Sequence, residues 1–260
     1  MVNRFGLEEY LGSIREVSWI SVAIVLIFDL LNLLFFLTQP AALLTVLLPW
    51  IFVIGIGIFF IGKQRPADLG LTIPKILPGI LCTITLWLAI QGMFALVLLI
   101  LEGRLSWGVV TVGYLVDQLI FFAFAEEIIF RGYLFPQFFL KIRKTRTRPL
   151  TAVILALLGS QLIFSLSHIP HLLVNGVSWQ EIPFQLLLIF IGGLFLCYIY
   201  LRSQNLLIAV GAHALGNFPT ILFSHDRLPW YVINLTVMLV TFIVIEIWRW
   251  YSRSSLWARQ

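Results

Sequence analysis

The chain has 260 residues, 60% of them hydrophobic and only 11% charged, with a mean hydropathy of +1.01. That balance excludes a soluble globular domain and describes a polytopic membrane protein. The net charge of +5 does not point to nucleic acid, because the basic run KIRKTRTR at 141–148 is a short loop between apolar stretches with no aromatic platform for bases.

Eight apolar runs are long enough to cross a hydrocarbon core of about 30 Å. In chain order they cover approximately 18–37, 41–62, 78–101, 109–140, 149–168, 183–201, 205–222 and 229–248. No small-residue cleavage site follows the first run, which therefore reads as an uncleaved span. The two cysteines, Cys82 and Cys197, lie inside runs and exclude a disulfide framework. The connection KQRPADLGLTIPKIL at 63–77, broken by Pro66 and Pro74, reads as an interfacial segment.

Charge tests the count independently, because Lys and Arg collect in cytoplasmic loops. With both termini cytoplasmic, fourteen of the seventeen basic residues fall on that side. Arg104 and Arg227 fall on the other, and Arg131 lies within the fourth span. Trp19, Trp50, Trp107, Trp179, Trp230, Trp248 and Trp250 stand near run ends, where indole rings favour the headgroup level. The expected organisation is an N-terminal segment, 1–77, with two spans and the interfacial connection, followed by a six-helix portion, 78–260. No internal repeat is visible, and the polar groups at membrane depth concentrate in the second half.

The fourth run holds the sequence FFAFAEEIIFRGYLF. Ionised groups at membrane depth are costly unless paired or hydrated, so three together mark a functional site. The i, i+4 spacing places Glu127 and Arg131 on one helix face, while Glu126 is rotated by about 100°. A buried ion pair that merely fixes packing explains Glu127 and Arg131, but one Arg cannot neutralise two carboxylates.

The fifth run ends in FSLSHIP, with Phe164 and His168 on one face and Pro170 placed to stop the helix. The seventh carries GAHALGNFP, with His213 and Asn217 sharing a face. Each pair alone fits packing or interhelical hydrogen bonding; three spans bringing complementary polar groups change that reading. Asp29 and Asn32 on the first span, Asp117 and Glu246 read as packing or interface groups. His171 and His225 read as loop histidines facing water.

The glutamate pair and arginine of EEIIFRG, the FxxxH of Phe164 and His168 and the HxxxN of His213 and Asn217 resemble, in order, the three motifs of the CAAX-processing and bacteriocin-processing (CPBP, or Abi) intramembrane endopeptidases. The likeness spans about 110–222. It implies an all-α bundle of about eight transmembrane helices around a polar intramembrane cavity, and hydrolysis of a peptide bond in a membrane-associated or lipidated substrate. Carried over residue by residue, Glu126 and His168 activate water, His213 and Asn217 hold the oxyanion, and Glu127 with Arg131 orients the site.

The residues fit that chemistry physically, since amide hydrolysis needs a base and preorganised donors in a low-dielectric pocket. HExxH is absent, neither Cys has a visible His partner, and Ser165 and Ser167 lack a GxSxG setting. No cofactor is favoured, although Glu126, Glu127, His168 and His213 also form a possible zinc set. Asn217 is a poor zinc ligand and a good amide donor, which favours metal-independent hydrolysis.

Upright helices rising about 1.5 Å per residue put the three motifs at different depths, so a tilt or break is required near Gly132 and Pro136, or near Gly211 and Gly216. The rival readings are a proton-coupled transporter, with Glu126, Glu127, His168 and His213 as a relay, and a non-catalytic immunity or scaffold protein on the same fold. The expected partners are the lipid bilayer and a membrane-associated peptide or protein, with no nucleic acid. The expected location is a prokaryotic cell membrane.

Overall fold

A computed structural model describes residues 7–38, 47–108, 112–224 and 230–257. His225 and Arg227 lie outside the described residues. Those described form helices and their connecting turns, and an isolated bridge between Trp107 and Phe223 is the one β contact among them. Among the described residues, five helices are long and apolar enough to cross a membrane: Trp19–Thr38, Pro66–Glu102, Pro149–Val174, Ile182–Ser203 and Val232–Trp250. Pro49–Ile61 and Leu206–Asn217 are apolar but shorter. The protein is an all-α, integral, multi-pass membrane protein.

The chain forms two compact units, Met1–Leu71 with Ala125–Leu206, and Thr72–Phe124 with Leu207–Gln260. In the first unit, α1 (Leu7–Gly12) precedes α2 (Trp19–Thr38), whose buried residues Ser21, Val22, Val25 and Asp29 form one stripe. Ile27, Leu30, Leu31 and Leu34 are exposed on its other side, as a lipid-facing surface demands. α2 packs on α3 (Pro49–Ile61), a helix of wide π turns. The approach is close because Gly57 has no side chain: a Cβ there would stand 3.0 Å from Val25 Cγ2.

The linker into α2 is fastened to α7 (Phe135–Arg143) through buried polar groups. Gln137 Oε1 accepts from Val17 N at 2.9 Å, Gln137 Nε2 donates to Arg15 O at 2.9 Å, and Lys141 Nζ donates to Val17 O at 2.7 Å. These bonds satisfy backbone groups that lack a helical partner before α2 begins. α8 (Pro149–Leu166) packs against α7 and α10 (Ile182–Ser203).

The sequence places a stop at Pro170, but the break comes earlier. α8 ends at Leu166, and Pro170 sits in the first turn of α9 (Ile169–Val174), where its missing N–H costs nothing. His168 occupies the turn between the two helices.

In the second unit, α4 (Ile73–Glu102) starts before the expected boundary and tolerates Pro78. It closes on Gly103, whose φ of +68° is the left-handed cap that glycine adopts readily. α12 (Trp230–Trp257) packs along α4. α11 (Leu206–Asn217) has 12 residues, a length of about 18 Å, short of a full crossing.

Gly211 lets α11 approach α4, since a Cβ there would lie 2.8 Å from Thr83 Cγ2 and 2.9 Å from Thr83 Cβ. Thr83 is β-branched and stiff. Gly211→Ala is expected to destabilise the protein by about 1–3 kcal/mol, whereas Gly216→Ala, with nothing within 4 Å, is neutral or slightly stabilising. Thermal unfolding in detergent compares the two, and equal melting temperatures would contradict the close approach.

Candidate active site

The fourth segment does not run as one regular helix. After α5 (Val112–Asp117) and the π turn Gln118–Phe122, α6 (Ala123–Glu127) gives way to a second π turn, Ile128–Leu134, before α7. This is the break the depth count requires. Wide turns of this kind recur at functional sites because they re-aim side chains out of the α-helical register.

Glu127 and Arg131 are fully buried, and Arg131 Nη1 donates to Glu127 Oε1 at 2.9 Å. Arg131 Nη2 donates to Gly193 O at 3.3 Å, and the guanidinium carbon lies 4.1 Å above the Phe164 ring. Two charges without water are tolerable only with such pairing.

Phe164 connects this pair to His168. Its ring centroid lies 4.7 Å from that of His168 and 5.0 Å from that of Phe130. His168 Nδ1 is 2.8 Å from Phe164 O. A carbonyl oxygen only accepts, so Nδ1 carries a proton, and in the neutral ring Nε2 keeps its lone pair. The FxxxH spacing thus fixes both the orientation and the tautomer of the imidazole.

Gly193 on α10, which nothing in the sequence marks, completes the arrangement. A Cβ there would stand 2.7 Å from Gln161 Oε1, 3.0 Å from Phe164 Cδ1 and 3.3 Å from Arg131 Nη2. Gln161 is also buried, and its Nε2 donates to Ser160 Oγ at 3.0 Å. Asp29, a packing or interface group by sequence, is buried on the inward stripe of α2, where the charge of Glu126 acts on it. A carboxylate halfway along a span was the available signal.

The first unit therefore holds Glu126, Glu127, Arg131 and His168, whereas His213 and Asn217 belong to the second. His213 is buried on α11. Asn217, exposed at the C-terminus of α11, donates from Nδ2 to Gln118 Oε1 at 2.9 Å. The chain beyond Asn217 is held by α4: Gln91 Oε1 accepts from Leu222 N at 2.8 Å, and Trp87 Nε1 donates to Thr220 Oγ1 at 2.8 Å. Among the described residues no three His, Cys, Asp or Glu side chains are grouped as a metal ion needs, and Glu127 is committed to Arg131.

No curated protein and no solved structure gives a significant match to the chain. A family model does, over the stretch that carries all three motifs. Residues 108–219 match the family described as type II CAAX prenyl endopeptidase Rce1-like.

Proposed function

We propose that the protein is an intramembrane endopeptidase that hydrolyses a peptide bond in a membrane-associated or lipidated substrate without a metal ion. The observation that carries this reading is the state of His168. With Nδ1 donating to Phe164 O, Nε2 of the neutral ring is the acceptor, in the same compact unit as Glu126, and Arg131 engages Glu127.

In the reaction, Glu126 takes a proton from water while His168 Nε2 accepts the other hydrogen and aligns the oxygen for attack on the carbonyl carbon. The resemblance assigns the resulting oxyanion to His213 and Asn217, whose Nδ2 carries two hydrogens. The C–N bond then breaks, and the proton held by Glu126 passes to the leaving amine. Glu127 and Arg131 orient the segment that carries Glu126. The family description names a prenyl endopeptidase, which supports a substrate with a lipid-tethered end. The distribution of basic residues supports cytoplasmic termini.

The test uses the full chain in proteoliposomes with quenched-fluorescence peptides bearing a prenyl or an acyl tail. Glu126→Gln and His168→Ala are expected to lose about 10²–10⁴-fold in kcat, and Asn217→Ala about 10²–10³-fold, all with wild-type melting temperatures. Full cleavage by the Glu126→Gln protein would overturn the assignment.

A further inference from the structure

The first run reads as an uncleaved span with Asp29 and Asn32 as packing or interface groups, and Asp29 does not face lipid. Asp29, 8% exposed, lies on the same stripe as Val22 and Val25. Asn32 and Phe36 follow at i+3 and i+7, which keeps all three on one face. Phe36 stacks on His171 with ring centroids 6.1 Å apart, and α2 packs on α9. Asp29 interacts with Glu126, and His171 interacts with both Glu126 and His168. The stripe therefore borders the neighbourhood of Glu126 and His168 within one compact unit.

One atom on this stripe has no task. Asn32 Oδ1 is buried and has no hydrogen-bond partner among the described residues, so an acceptor is kept from water and left unused. An intramembrane protease creates the complementary need. Its substrate must be extended where it is cut, and each backbone N–H released at membrane depth requires an acceptor.

We propose that the inward stripe of the first span is a substrate-binding wall, in which Asn32 Oδ1 and the Asp29 carboxylate accept hydrogen bonds from backbone N–H groups of the extended peptide beside the scissile bond. The inference rests on the hydrolase reading and adds to it where the substrate backbone lies. Phe36 and His171 bound the wall at its far end.

The experiment uses the full-length protein in proteoliposomes with one quenched-fluorescence acylated peptide, and esters replacing the amides on either side of the cleaved bond, one at a time. Asp29→Ala and Asn32→Ala are each expected to raise KM about tenfold, with kcat within about threefold of wild type and an unchanged melting temperature. Asp29→Asn, which keeps an acceptor oxygen, restores KM to within about threefold of wild type. One ester position costs the wild type about tenfold in KM and costs Asn32→Ala nothing, as expected when donor and acceptor are partners.

Wild-type KM in Asp29→Ala and Asn32→Ala would overturn the proposal, as would a joint fall in kcat and melting temperature at constant KM, the mark of a purely structural role. If Glu126→Gln abolishes cleavage while neither first-span variant moves KM, this inference alone fails. If Glu126→Gln still cleaves, the hydrolase reading fails and the wall with it.

Discussion

Arg131→Met is expected to destabilise the protein by about 3–5 kcal/mol, because it strands Glu127 as an uncompensated buried charge. The ion pair has no solvent exposure and spans 2.9 Å, so water cannot take over the lost partner. Glu127→Leu combined with Arg131→Met is expected to recover most of that stability, since removing both charges removes the desolvation cost of each. Activity is not expected to return, because the guanidinium also lies on the Phe164 ring and donates to Gly193 O, and that ring in turn packs on the ring of His168. Thermal unfolding and peptide cleavage on the single and double variants check both halves. A single variant as stable as wild type would contradict the burial of the pair.

Gly193→Ala is the second large effect, and its neighbour supplies the control. A methyl at 193 would press on Gln161 Oε1, Phe164 and Arg131, all buried, whereas a methyl at Gly192 would meet nothing within 4 Å. Overpacking of this kind costs about 1–3 kcal/mol. The functional loss is expected to exceed what stability explains, because the side chain displaced, Phe164, packs edge-on against the His168 ring at 4.7 Å. Gly192→Ala is expected to match wild type in melting temperature and cleavage. Equal behaviour of the two variants would show that α10 does not back the site.

Local patterns in the chain carried the parts of the site that depend on one helix. The i, i+4 spacing of Glu127 and Arg131 and of Phe164 and His168 becomes a 2.9 Å ion pair and a ring contact of 4.7 Å, since residues four apart stay close along a helical path even where it widens or ends. Parts that depend on packing between distant segments were not legible. Gly193 touches Arg131 across 62 residues of chain, and its neighbour Gly192 looks identical in sequence. Asp29 was assigned to packing because nothing local links it to Glu126. Hydropathy located eight apolar segments. It does not register π turns, so the break in the fourth segment followed only from the mismatch in motif depth. The partner of Asn217 is Gln118, which is 99 positions away and was invisible for the same reason.

The central claim is that Glu126 activates water to cut a peptide bond. Wild type and Glu126→Gln are reconstituted in matched proteoliposomes carrying an entrapped pH dye and given lipid-tethered peptides, with products identified by mass spectrometry. The account expects a new peptide terminus with wild type, no product with Glu126→Gln, and no proton flux with either. Proton flux lost on the same substitution, with every peptide left intact, would contradict it.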